Sequence, residues 1–279
     1  YDSQKPSTTQ LGLQYTTANC GNGNITLSRI NLQSNSNNCG PYLSSVATYR
    51  GTKTFQGTCS NIKLTYSNCC RGNIDNLMNS FTLSTVLELE IIDSIGGNSS
   101  PYFSGIPIIH INKNQSSQLN FTAIDPDGDS LIYKFAPIPT ASYNSTYSAT
   151  SPFGALPISL NQFTGALSVT APGSGLYAIN VEVEEYRNNV LKGKTKRELS
   201  IFINQNLSNN QIPMISGVNN TSTYSASVCA GDTLSFYAII SDPDMDPVAI
   251  SLNNPTFGAS MTRSNDTAFI NWPIDSSYA

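Results

Sequence analysis

Charge is scarce in this chain. Of its 279 residues only 11% are Asp, Glu, Lys or Arg, against about 25% in an ordinary globular protein. Histidine occurs once, at His110, and tryptophan once, at Trp272. Each scarcity removes a class of function. With a net charge of -4, a pI near 4.9 and no basic run, the chain offers no surface for releasing counterions from nucleic acid. No stretch approaches the roughly 18 consecutive apolar residues of a membrane-spanning helix. A Ser-His-Asp or Cys-His arrangement would have to use His110. No Gly-rich loop joins a strand to a helix, so nucleotide binding has no support. Glu184 and Glu185 are neighbours in an extended stretch and point to opposite faces, so they cannot flank one glycosidic bond. The expectation is a chain that is not an enzyme. It begins Tyr1-Asp2-Ser3, without an initiator Met or an apolar leader, and reads as a mature or excised segment.

What fills the deficit is uncharged polar sequence, including 31 Asn. Helical periodicity is almost absent, whereas apolar residues recur at every second position, the mark of half-buried antiparallel strands. Leu119, Phe121 and Ala123 alternate with polar neighbours, as do Leu131, Tyr133 and Phe135. A longer run sets Tyr177, Ile179, Val181 and Val183 on one face. It turns at Asn188-Asn189, residues that tolerate positive φ, and returns through Leu199, Ile201 and Ile203. The fold class predicted is all-β, as tandem sandwich modules of Ig-like or cadherin-like type. Tyrosines on these strands are expected in the core, and Tyr143 and Tyr147, in a Ser/Thr-rich loop, at the surface.

A repeat sets the boundaries. Asn98, Pro101, Ser104 and Gly105 match Asn210, Pro213, Ser216 and Gly217 at an offset of 112 residues, and each copy leads through an alternating strand into an acidic turn. The turns read FTAIDPDGDSLIYKF and FYAIISDPDMDPVAISL. Residues 98–208 are therefore expected to form one sandwich and 209–279 to begin a second, shortened one, after a disulfide-bearing β domain at 1–97. Asp125, Asp127 and Asp129, with Asp242, Asp244 and Asp246 in the second copy, sit at alternate positions of turns bent by Pro126 and Gly128 or by Pro243. That spacing can gather carboxylates around a hard cation, so all six are candidate calcium ligands, although Met245 replaces the glycine in the second turn and is expected to prevent so tight a wrap.

Five of the six cysteines fall in residues 1–97. They lack the paired knuckles and His partners of a zinc site, which points to disulfides in an oxidising compartment. Cys20, Cys39, Cys59, Cys69 and Cys70 are the candidates. The adjacent Cys69 and Cys70 are expected to reach two different partners, and Cys229 to pair outside the segment.

The ordered motifs CCRGNIDNL, NSSPYFSG, AIDPDGDSLIYKF, FTGALSV and VEEYRNNVLKG resemble the repeated extracellular region of large cell-surface proteins of the Bacteroidetes. That group includes gliding-motility adhesins of the SprB type and other cargo of the type IX secretion system. The central module also resembles a cadherin repeat, with Asn161-Gln162-Phe163 in place of that family's acidic D-R-E element and Gly97-Asn98-Ser99-Ser100 in place of D-x-N-D-N. The resemblance implies a bacterial cell-surface location, attached to the outer membrane through other parts of the chain. The implied partners are neighbouring modules and a surface polysaccharide or other cell-surface ligand. It also implies O-glycosylation at Asp-Ser/Thr-apolar sites, here Ser94, Ser130, Thr233 and Thr267. The function expected is that of an adhesive or stalk segment; the alternative is an accessory or carbohydrate-binding region of a secreted polysaccharide-degrading enzyme.

Overall fold

The structure, a computed structural model, describes residues 8–35, 44–92, 97–103, 108–113, 116–170, 173–205, 211, 213–224, 226–250, 252 and 258–274. Cys39 and Ser94 lie outside these. The described chain is almost entirely strands, turns and loops, with short 3-10 turns at Ser80–Thr82 and Val218–Asn220, so the all-β expectation holds. None of its helices is long and apolar enough to cross a membrane. The chain divides into two compact units, Tyr1–Asn206 and Leu207–Ala279.

The first unit opens with β1 (Gln10–Thr16), β2 (Gly23–Asn35), β3 (Ser44–Arg50), β4 (Ile62–Asn68) and β5 (Thr85–Ile91). Next come β6 (Tyr102–Phe103), β7 (Ile108–Asn112), β8 (Ser116–Asn120), β9 (Ala123–Ile124) and β10 (Ser130–Phe135). It closes with β11 (Ile158–Leu160), β12 (Ala166–Thr170), β13 (Gly175–Arg187) and β14 (Val190–Asn204). One long sheet runs β10-β13-β14-β5-β4-β1-β2-β3, with β7 pairing in parallel against the far half of β14. A smaller sheet, β11-β12-β8, packs on it. The strands before residue 97 and those after residue 98 thus share one sheet, joined directly where Gly193, Lys194 and Thr195 of β14 pair with Ile91, Glu90 and Leu89 of β5.

The core lies between the two sheets. Tyr177, Ile179, Val181 and Val183 of β13 and Leu199, Ile201 and Ile203 of β14 meet Leu167 and Val169 of β12, as their alternation predicts. Asn188 and Asn189 turn the hairpin with φ of 51° and 63°. The structure departs from a half-buried strand at β13, because Ala178, Asn180 and Glu182 on its other face are buried too. The segment after the paired cysteines covers them. Asn76 donates through Nδ2 to the carbonyls of Ala178 (2.8 Å) and Pro152 (3.1 Å) and accepts the Ala178 N–H (3.0 Å). Asp75 Oδ2 accepts the Leu176 N–H at 2.9 Å. Arg71, only 4% exposed, grips Glu198 of β14 through Nε (2.8 Å) and Nη2 (2.7 Å). The CCRGNIDNL motif is a clasp that fixes the N-terminal strands to the sandwich. Tyr143 and Tyr147 depart from their expected exposure as well: Tyr143 packs with Ile74, Leu77 and Ile138, and Tyr147 stands edge-on to Tyr177, because this loop is the other half of the cover.

The face of the long sheet opposite the core carries charges of alternating sign. Lys134 of β10 meets Glu182 (3.0 Å) and Glu184 (2.7 Å) of β13, and Glu184 meets Lys194 of β14 (3.0 Å). Lys196 of β14 meets Glu88 of β5 (2.8 Å), which meets Lys63 of β4 (2.6 Å). Burial opposes ionisation of Glu88 and Glu184, but the lysines facing them hold both carboxyls below their usual range.

The second unit has β15 (Met214–Ile215), β16 (Thr233–Ser241), β17 (Ser260–Ser264) and β18 (Thr267–Pro273), ordered β15-β16-β18-β17. Ile240, Ala268 and Ile270 form its small core with Phe236, Val248, Ile250 and Met261 packed around them.

Candidate functional site

The acidic turn between β9 and β10 is built by its first residue. Asp125 Oδ1 accepts the N–H groups of Asp127 (2.9 Å) and Asp129 (3.0 Å). Gly128 takes φ +76°, a conformation that costs a residue with a Cβ and glycine almost nothing. Asp127 reaches the module's first residues, accepting the Ser99 N–H at 2.6 Å. Arg187, at the end of β13, then gathers the loop. Its Nε and Nη2 hold both oxygens of Asp129 (2.7 and 2.9 Å), Nη2 also meets Asp127 Oδ2 (3.1 Å), and Nη1 donates to the Gly97 carbonyl (3.1 Å). This pairing holds the Asp129 carboxyl below the usual carboxylate range.

One carboxylate of this cluster is absent from the calcium set that the turn spacing proposes. Glu185 is fully buried (0% exposed), and its oxygens make no hydrogen bond of ordinary geometry among the described residues, with the Asn98 and Asp129 side chains beside them bearing on its charge. Asp125 Oδ2 and Asn98 Nδ2 are likewise buried and unpartnered. Ligand oxygens of Asp125, Asp129 and Glu185 lie within 4.8 Å of one another. Burial first, then the charges of Asp125 and Asp129, pushes the Glu185 carboxyl up to about 7, and burial raises Asp125 too. Gly193 faces Glu185 across the hairpin, and a Cβ there would stand 3.1 Å from Glu185 Oε2 and 2.9 Å from the Glu90 carbonyl, so the missing side chain makes the room. The structure therefore regroups the expected ligands: Asp125 and Asp129 join Glu185, while Asp127 turns to Ser99 and Arg187. The signal was the parity of the strand, which sets residue 185 on the face of Val181 and Val183. The buried Asp125 Oδ2 and Glu185 oxygens are the donors free for a hard cation, while both oxygens of Asp129 already bond to Arg187.

The second turn repeats the framework. Asp242 Oδ1 accepts the N–H groups of Asp244 (2.8 Å) and Asp246 (3.2 Å), and Asp244 accepts the backbone N–H of Gln211, the counterpart of Ser99. Met245 adopts φ +63°, so the tight wrap forms without glycine. Among the described residues, Asp242, Asp244 and Asp246 do not converge as a metal-ligating group.

The remaining candidates fall elsewhere. Cys20 and Cys59 form a disulfide (Cα separation 5.7 Å) that ties the turn between β1 and β2 to the segment entering β4. Cys69 and Cys70 bond each other, correcting the expectation of two separate partners; their Cα atoms are 3.0 Å apart. Cys229 is an exposed free thiol. Ser130 begins β10, Thr233 begins β16 and Thr267 begins β18. His110 stacks on Phe202, with centroids 5.0 Å apart.

No family model matches the chain. A curated relative, Integrin beta-like protein A of Dictyostelium discoideum, is 27% identical over 131 residues; the match takes in 44% of this chain and 6% of that protein's length. Among solved structures, protocadherin gamma B7 extracellular cadherin domains 1-4 align over 94% of this chain and 64% of theirs, at 14% identity and a TM-score of 0.27. A chimeric titin Z1Z2 tandem aligns over 64% of this chain and 87% of its own, at 12% identity and a TM-score of 0.20.

Proposed function

We propose that the chain is a non-catalytic, extracellular, adhesion-type segment of a large cell-surface protein. The observation that carries this reading is the use to which its motifs are put. The CCRGN segment clasps strands, the acidic turns anchor the start of each module through Ser99 or Gln211, and in VEEYR Glu184 braces the sheet while Arg187 gathers the first acidic turn. Such motifs hold strands and turns together within each unit, as the modules of a spacer require. The likeness to Integrin beta-like protein A supports the same reading. In finer terms, the chain belongs to a gliding-motility adhesin of the SprB type exported by type IX secretion and attached to the outer membrane through other segments. Its ligand is a surface polysaccharide or another cell-surface molecule, and Ser94, Ser130, Thr233 and Thr267 carry O-glycans.

Antibody raised against the chain should label intact source cells, and beads coated with it should attach to surfaces those cells colonise. Labelling only after permeabilisation overturns the location, and hydrolysis of a polysaccharide by the pure protein overturns the non-catalytic reading. Calcium belongs to the same proposal. Asp125, Glu185 and Asp129 would hold it at extracellular-type affinity, about 10⁻⁴–10⁻³ M. Ion binding to the folded state should add about 0.4–1.4 kcal/mol at about one to ten times the dissociation constant, the range that millimolar calcium reaches. Thermal unfolding of the wild type and an Asp125→Asn variant, with millimolar calcium and with chelator, checks this; wild-type curves that coincide would count the ion out.

A further inference from the structure

The outer face of the second unit carries a groove that the acidic turns do not explain. Alternation along β16 and β18 sends Phe236, Ile240, Ala268 and Ile270 into the core and leaves Ser235, Tyr237, Phe269 and Asn271 on the opposite face. There they line a concavity of about 400 Å³ together with Asn219 and Thr262, within the roughly 300–1,000 Å³ of small-ligand sites.

Its chemistry is specific. The rings of Tyr237 and Phe269 lie 6.3 Å apart, tilted by 44°, and Phe269 remains 48% exposed, a large apolar surface to leave in water. Around them stand amides and hydroxyls, and no lining residue carries a charge. Two amides are fixed in orientation. Ser235 Oγ donates to Asn271 Oδ1 (2.7 Å), and Asn219 Oδ1 accepts the Tyr237 N–H (3.1 Å). With each oxygen engaged, the NH₂ end is the group that can donate to a ligand. Asn219 sits at φ +54°, so the backbone of the Val218–Asn220 turn is bent to deliver it.

We propose that this groove binds a short neutral oligosaccharide. Sugar rings present apolar C–H faces that lie on aromatic rings and a rim of hydroxyls that pair with amides and hydroxyls, and an uncharged lining rejects polyanions and polycations, which would lose hydration without gaining a partner. The inference names the ligand class for the surface-binding reading above and rests on it for its biological setting. The two fail separately: beads could adhere through another face while the groove binds nothing, and the groove could bind sugar in a protein that is not an adhesin.

The test uses the whole chain, titrated calorimetrically with cellohexaose, maltohexaose, mannohexaose and xylohexaose, and with polygalacturonate and chitosan as charged controls. At least one neutral oligosaccharide should bind, and Phe269→Ala and Asn271→Ala should each weaken it tenfold or more. Phe269→Leu keeps the strand apolar and serves if the alanine variant melts early, with Trp272 fluorescence, in the same strand, reporting the fold. Absence of binding to every neutral probe, binding confined to the charged polymers, or affinity unchanged in all folded variants would each overturn the assignment.

Discussion

Met245 and Gly128 occupy the same place in two copies of one turn, both with positive φ, and one of them has a side chain. A left-handed conformation costs such a residue about 1–2 kcal/mol, and Met245, 92% exposed, has no packing to offset it. Met245→Gly should therefore stabilise the second unit by about 1 kcal/mol, net of the entropy that glycine adds to the unfolded chain. Because the single tryptophan, Trp272, lies in β18, urea unfolding followed by its fluorescence reads this directly. Glu185 makes the opposite kind of residue-scale prediction. Its carboxyl sits at about 7 in the fold and near its ordinary 4.5 when unfolded. Between those values the folded state holds the extra proton, so stability falls as pH rises from 4.5 to about 7, by at most about 1.4 kcal/mol per pH unit, and is level above. Asp129, depressed by Arg187, acts in a separate window: its contribution is present above pH 3.8 and is lost as pH falls through its lower folded value. Glu185→Gln should flatten the slope between pH 4.5 and 7 in a urea series; an unchanged slope would place the proton elsewhere.

At the scale of elements, the clasp after Cys70 does what neither sheet can do alone. Arg71 is paired with Glu198 in a nearly dry environment, and breaking a buried pair costs about 3–5 kcal/mol because the remaining charge is stranded. Arg71→Ala should lower the unfolding free energy by that amount, and adding Glu198→Leu should recover much of the loss. Equal midpoints for the single and double variants would show that packing, not the orphaned charge, sets the cost. The ladder of lysines and glutamates across β10, β13, β14, β5 and β4 is partly exposed, so each pair contributes on the order of 0.2–1 kcal/mol. Its larger effect is on register. A slip of one residue in β14 would turn Lys194 and Lys196 into the core and Thr195 and Arg197 outward, so the charges keep the long hairpin aligned.

For the whole molecule, covalent and non-covalent ties divide the work. The Cys20–Cys59 bridge spans 39 residues and holds the first strands, which have no second sheet of their own among the described residues. Cys20→Ser with Cys59→Ser should cost about 2–5 kcal/mol, seen as earlier unfolding by circular dichroism. Alkylation of denatured but unreduced protein should label Cys229 and spare Cys20, Cys59, Cys69 and Cys70, and a mass shift on any of those four would contradict the pairing.

Alternation along the strands was enough to read the all-β class, the β13–β14 hairpin and its Asn-Asn turn, because a period of two and tolerance of positive φ are properties of short stretches. The repeat likewise exposed both acidic turns, and the structure explains why its two halves recur together: Asp127 and Asp244 bond to Ser99 and Gln211 at the module starts. Long-range choices stayed hidden. That residues 71–79 cover the second face of β13 and that Glu185 rather than Asp127 completes the acidic cluster depend on which surfaces meet across separations of roughly 60 to 100 residues, and no local pattern marks Cys69 and Cys70 as each other's partner. Local sequence specifies which face a side chain takes. The neighbours waiting on that face, and hence whether a carboxylate is solvated, paired with arginine or left to hold a proton or a cation, are fixed only when the sheets pack and exclude water.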